Sequence, residues 1–248
     1  MKILFTNLLD TATVSAGGSS VNYPPENVQH VFLQKRFQQV VALTGGVMAD
    51  ADALTLEWAT DQTIDFIAVG NTNATTLTLK LYDSADSLLD TQVFTSPGLG
   101  KSFTAVTGVR SAKLLLDDGS GDNPMTLYVG GLGIGAGYAM PDPFYDWTDA
   151  LLDNSFGEIT IDGQTAGQYV EPLRVLSFKF VTEDRDVFAA VLAGVKVLGR
   201  YTPCWVLPFT DALADTPAIY ATIPNGVENQ GRDEIYRYTF DLSFQEAR

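Results

Sequence analysis

Through the first half of the chain, apolar and polar residues alternate in short runs broken by turn-forming clusters, and helical spacing is nearly absent. Leu77, Leu79 and Leu81 interleave with Thr76, Thr78 and Lys80, the period-two pattern of a strand with one buried face. The same reading predicts strands over Lys2–Leu8, Leu54–Ala59, Ile64–Val69, Thr75–Tyr82, Leu88–Phe94, Ser111–Leu116 and Met125–Val129. Seven short strands with turn signals between them predict a β-sandwich. Between Leu81 and Leu88 the run Tyr-Asp-Ser-Ala-Asp-Ser offers side chains that bond their own backbone and reverse the chain, so a hairpin is expected there.

From Gly130 to Pro143 the sequence turns glycine-rich and then meets two prolines, which forbid regular continuation. The pattern predicts a connection between domains, with 1–136 forming the sandwich and 137–248 a second domain. In that second half Glu158–Asp162 and Leu173–Val181 read as strands. Thr182-Glu-Asp-Arg-Asp supplies an N-cap with acids in the first turn, and Val187, Phe188, Val191, Leu192, Val195 and Leu198 follow at helical spacing; a helix near 183–198 that stops at Gly199 follows. Pro203-Cys-Trp-Val-Leu-Pro reads as a short apolar strand, and Tyr236, Tyr238, Phe240, Leu242 and Phe244 as a one-sided closing strand for the second domain. The expected class is mainly β: a jelly-roll-like N-terminal sandwich followed by a β-rich α+β domain with one helix.

Composition narrows the function. The 248 residues are 46% hydrophobic and 18% charged, enough apolar content to fold around substantial cores. A formal charge of −15 repels phosphate backbones and anionic lipid, so neither nucleic acid nor a membrane surface is an expected partner. One cysteine and one histidine exclude an intrachain disulfide, a Cys/His zinc site and a two-histidine metal centre. The N-terminal MKILFTNLLD reads as a strand rather than a signal peptide, and production in a reducing cytoplasm is expected.

Sites for chemistry are few. Gly131, Gly133, Gly135 and Gly137 follow a strand, yet Pro141 and Pro143 deny them the helix N-terminus that a dinucleotide loop requires. Asp117-Asp-Gly-Ser-Gly-Asp-Asn has carboxylates suited to a hard cation but not the spacing of an EF-hand, so a solvated turn is expected and no metal is assigned. His30 has no Gly-x-Ser-x-Gly elbow to serve, and Cys204 sits in an apolar context that predicts a buried, inert thiol. Nothing along the chain singles out a carboxylate pair. No enzymatic activity and no cofactor are expected. The notable cluster is Tyr23, Phe32 and Phe37 beside Asn27, Lys35 and Arg36; aromatic faces with amide and guanidinium donors suit a sugar surface, but the same residues equally suit a plug of core at one end of the sandwich or a protein interface.

Several motifs carry a resemblance. Tyr23-Pro-Pro-Glu-Asn-Val28, the basic-aromatic Lys35-Arg36-Phe37, Leu54-x-Leu56-x-Trp58 and Ile64-Asp-Phe-Ile-Ala-Val-Gly-Asn-Thr-Asn73 resemble the galactose-binding-like, or discoidin-like, β-sandwich found in bacteriophage tail proteins. Leu173–Thr182, the helix after it, Gly199-Arg-Tyr-Thr-Pro203 and Tyr236–Phe244 resemble the module that follows such sandwiches. The resemblance implies a structural component of a virion tail, self-assembled into rings or trimers, with other tail proteins as partners and with host attachment through glycans as the alternative role. It does not guarantee sugar binding. Trp58 lies on a strand and is expected to face the core, unlike an exposed lectin tryptophan.

Overall fold

The computed structural model describes residues 1–18, 22–30, 35–43, 48–95, 100–141, 143, 147–152, 156–159, 165–168, 172–208, 218–233 and 237–247. The chain is mainly β, with antiparallel sheets and one α-helix among the described residues. It divides into two compact units, one of Met1–Ala139 with Cys204–Tyr220, the other of Met140–Pro203 with Ala221–Ala247.

In the first unit the strands are β1 (Lys2–Leu4), β2 (Thr13–Ala16), β3 (Phe37–Val41), β4 (Leu54–Thr72), β5 (Thr76–Tyr82), β6 (Leu88–Thr95), β7 (Gly100–Asp117), β8 (Met125–Gly135) and β9 (Tyr138–Ala139). Seven of them hydrogen-bond in the order β3-β8-β4-β7-β5-β6, with β2 added to β4. The expected separate strands at Leu54–Ala59 and Ile64–Val69 are one strand, 19 residues long. Its pairing with β7 shifts register between Glu57 and Gln62, again before Thr63, and between Ile64 and Phe66. Bulges of this kind bend a strand and strengthen its twist. The two ends of β4 consequently hold different neighbours: Leu54–Glu57 pair with β2, while Phe66–Thr72 pair with β8. Both ends feed one core, which holds Leu54, Leu56 and Trp58 together with Ile64, Ile67 and Val69, Leu77, Leu79 and Leu81 of β5, and Leu127, Val129 and Leu132 of β8. Trp58 is buried as expected, its indole N–H donating to the Leu8 carbonyl at 2.8 Å.

The hairpin after β5 forms at the predicted place. Asp83 Oδ1 accepts the N–H groups of Ala85 (2.8 Å) and Ser87 (2.9 Å), and Asp86 takes a left-handed φ of 58°, a conformation aspartate tolerates better than most residues. The strand it delivers, β6, is the last of the sheet among the described residues. Pairing with Leu81 and Leu79 turns Asp90 and Gln92 toward the core side, where the Gln92 amide bonds the Asp90 carboxylate at 2.8 Å. An inward-pointing charge of this kind discourages another strand from adding to an edge.

The glycine-rich segment is the main correction to the sequence reading. Gly131, Gly133 and Gly135 do not belong to a linker: they continue β8 and pair with Gly70, Ala68 and Phe66 of β4. The intervening Leu132 and Ile134 enter the main core, and the glycines lie on the opposite face. There Phe66 and Ala68 pack with Leu4, Trp205 and Leu207. A Cβ added at Gly133 would fall inside the Trp205 indole, so the bare backbone is the seat of that ring. Trp205 lies on β14 (Cys204–Leu207; β10 to β13 are in the second unit, below), which pairs antiparallel with β1, Trp205 opposite Leu4. The apolar segment read as part of the second domain thus belongs to the first. Asn7 seals the same region: its side chain accepts from Ile134 N–H (3.1 Å) and donates to the Leu132 carbonyl (2.9 Å).

The second unit contains β10 (Thr148–Leu152), β11 (Phe156–Ile159), β12 (Thr165–Gln168), β13 (Leu173–Thr182), α1 (Arg185–Leu198), the end of β15 (Ile219–Thr222), β16 (Val227–Asp233) and β17 (Arg237–Glu246). Strand β13 lies between β10 and β17, setting Leu176, Phe178 and Phe180 against Phe244, Leu242 and Phe240. Tyr236 and residues 160–162, predicted as strand, lie outside the described residues. The helix matches its forecast closely. Asp184 is the N-cap, its carboxylate accepting from Asp186 N–H at 2.8 Å and Val187 N–H at 3.4 Å, and Gly199 ends it at φ 67°, where a side chain would be strained. Val191, Val195 and Leu198 are buried, and Phe188 stacks on Tyr238 with centroids 5.1 Å apart.

Replacing Gly133 with alanine should cost about 1–3 kcal/mol through overpacking, lowering the melting temperature by roughly 3–10 °C. A thermal melt checks this; an unchanged midpoint would mean the indole has room to move away.

Candidate functional site

Along β8 the residues before the glycines alternate: Met125, Leu127 and Val129 are buried while Thr126 and Tyr128 turn outward. Tyr128 is held from both sides. Its N–H donates to Asn73 Oδ1 at 2.9 Å and its carbonyl accepts from Thr72 Oγ1 at 2.6 Å; Asn73 also donates to the Thr126 carbonyl at 2.8 Å. On the other flank Gln38 of β3 is its register partner. The backbone beneath the Tyr128 ring is therefore bonded in place.

Arg36 immediately precedes β3, and its guanidinium carbon lies 4.6 Å from the centroid of the Tyr128 ring, within the range of a cation–π contact. Its carbonyl accepts the Asn27 side-chain amide at 3.0 Å. Asn27 sits in the 3-10 turn Pro25–Gln29, so that turn fixes the entry of β3. Tyr23 joins from the next lane, its carbonyl accepting Gln38 N–H at 3.1 Å, and its side chain is exposed. Lys35 is exposed beside Arg36.

The structure thus brings together four of the six residues singled out in the sequence: Tyr23, Asn27, Lys35 and Arg36. Phe37 is fully buried and opposes Val129 in the core, so its ring is not part of this surface. Phe32 lies outside the described residues. Sequence reasoning missed Tyr128 and Asn73. The outward phase of Tyr128 between buried Leu127 and Val129 was the available signal, but only the fold reveals that Arg36 covers it.

Elsewhere the predicted chemistry resolves into structure. In the acidic loop, Asp117 Oδ1 accepts Gly119 N–H (2.8 Å) and Asp118 Oδ1 accepts Ser120 N–H (2.9 Å), the self-bonding of a turn. Among the described residues no three His, Cys, Asp or Glu side chains are grouped to hold a metal ion. Cys204 is buried and unpaired, and desolvation pushes its thiol up to about 12. Burial likewise pushes Tyr220, packed 4.9 Å from Trp205, up to about 12.

No family model and no curated protein sequence matches the chain. Solved structures of similar shape include a fucose-binding module of Streptococcus pneumoniae, SpX-3, at 11% identity and a TM-score of 0.43, covering 53% of this chain and 98% of that module. The lectin domain of lectinolysin, solved with Lewis B antigen, is 12% identical with a TM-score of 0.42, over 52% of this chain and 95% of that domain. Chitosan-binding module 1 of a Paenibacillus sp. IK-5 chitosanase/glucanase is 13% identical with a TM-score of 0.40, over 53% of this chain and 99% of the module.

A thiol that stays protonated and buried at neutral pH should not react. We expect a disulfide reagent at pH 8 to leave the native chain unlabelled and to titrate one thiol per chain after denaturation; fast labelling of native protein would contradict the burial of Cys204.

Proposed function

We propose that the first unit is a binding module for surface carbohydrate, acting without turnover, and that Arg36 on Tyr128 is the centre of its contact surface. The observation that carries this is the guanidinium lying 4.6 Å above the ring centroid, anchored by Asn27 through its own carbonyl. A guanidinium stacked on a ring keeps its planar fork of N–H donors at the edge of the stack, where paired hydroxyls can accept from it. Exposed Tyr23 adds an aromatic surface for the apolar CH face of a sugar ring. Lys35 and Arg36 also place two cations together on a chain of net charge −15, so acidic partners meet less repulsion here than over the rest of the surface.

A second reading, assembly with copies of itself as a virion tail component would do, is favoured by apolar side chains on the sheet margins. Leu88, Leu89 and Val93 of β6 and Leu151 and Leu152 of β10 are exposed apolar side chains on strands that each have one hydrogen-bonded neighbour among the described residues. Under this reading the chain is a defined oligomer by mass photometry, and Leu151→Lys shifts it toward monomer; a monomer at every concentration removes the reading.

On a glycan array the carbohydrate reading predicts retention of a subset of glycans. Arg36→Ala and Tyr128→Ala should each weaken that binding by roughly 5- to 30-fold, the effect of losing about 1–2 kcal/mol, with the melting temperature changed little. An array without hits, or full binding by a folded Arg36→Ala chain, would overturn it.

A further inference from the structure

A separate cleft of about 190 Å³ opens over the outer face of β5. Leu77, Leu79 and Leu81 fill the core, so Thr76, Thr78 and Lys80 form the opposite row and make one wall of the cleft. The rest of the lining is apolar apart from Asp117, with Leu43 and Leu115, the register partner of Thr78, beside the edges of buried Met48 and Met125. Across the sheet Thr76 stands opposite Asp117, which also lines the cleft.

The polar wall is held in place without a ligand. Lys80 Nζ donates to Asp50 Oδ1 at 2.7 Å, and the Tyr82 hydroxyl reaches the other oxygen of Asp50 at 3.4 Å. The hydrogen bond from Lys80 is the main force holding the Asp50 carboxyl below its ordinary range, with Lys113 and Tyr82 adding to it. The ammonium therefore points in a fixed direction with its charge already matched, and two of its three N–H donors remain beyond the one given to Asp50.

From this arrangement we propose that the cleft is a second carbohydrate site, taking one neutral pyranose unit, either free or at the end of a glycan. A wholly apolar guest would strip water from the two threonine hydroxyls and the ammonium without replacing their hydrogen bonds. An anionic guest would meet Lys80 already neutralised and Asp117 close by. A ring with one CH face and several hydroxyls satisfies the apolar and the polar parts of this lining at once. The volume is below the roughly 300–1,000 Å³ of sites for drug-sized ligands, which limits the guest to a single ring. The proposal rests on the carbohydrate reading above and adds to it a site built from different side chains.

Titration of the full chain with galactose, N-acetylglucosamine or fucose, followed by amide NMR shifts, tests it, with glucuronate as the charged comparator. At least one neutral sugar should shift the amides of 76–80 and 115–117, and glucuronate should not. Thr76→Val with Thr78→Val, which keeps shape and strand preference but deletes the hydroxyls, should weaken that response about tenfold or more. Leu43→Trp, which enlarges a lining side chain, should block it, while Arg36→Ala should leave it intact. Shifts confined to 23–38 and 128 would overturn the cleft and leave the Arg36 surface standing. Shifts confined to the cleft would do the reverse, and silence at both would remove both. A cleft response unchanged in the double valine variant, or stronger for glucuronate, also overturns the proposal.

Discussion

The seating of Trp205 on the glycine face of β8 is the contact on which the first unit depends. Residues 66–69 of β4 are buried on both sides, with Ile67 and Val69 in the main core and Phe66 and Ala68 under Trp205, Leu4 and Leu207. A strand with two buried faces needs a cover for each. A large aromatic buries roughly 150–250 Å², on the order of 4–6 kcal/mol of apolar burial, a large part of the margin by which an ordinary domain stays folded. That ring can approach only because position 133 has no side chain. Asn7, bonded to Leu132 and Ile134 of β8, holds the strand that carries the glycine face in place.

Much of the fold could be read where side chains report their surroundings. The Leu/Thr alternation of 76–81, the Asp83 turn and the capped stripe of 184–198 each carry a local cause, and each appears where that cause put it. Reading failed where the cause is remote or the side chain is missing. Ala59–Asp61 are exposed and polar or small, so their place inside one continuous strand leaves no hydrophobic trace. Gly131, Gly133 and Gly135 occupy strand positions whose burial is supplied by a tryptophan far along the chain, and a residue without a side chain cannot display alternation. The return of Cys204–Leu207 to β1 is a long-range pairing with no local sign.

The candidate surface follows the same rule. Tyr23, Asn27, Lys35 and Arg36 are close in sequence and stayed close in space because one turn and one strand entry hold them. Phe37 is next in line but falls on the opposite phase of β3, into the core. Tyr128 was silent because its importance comes from the Arg36 guanidinium above it, and the Thr76, Thr78 and Lys80 row became part of a cleft only when the fold brought Leu43 and Leu115 beside it.

The path of the chain has a further consequence for how the protein is made and exchanged. The layer that Trp205 completes is contributed from beyond the whole stretch between Met140 and Pro203, so a ribosome cannot release a finished first unit before it has translated most of its neighbour. Recombination that cut at the glycine-proline segment would transplant a body with an open seam. Inheritance of these two units is therefore coupled, and evolution can trade them only as a pair.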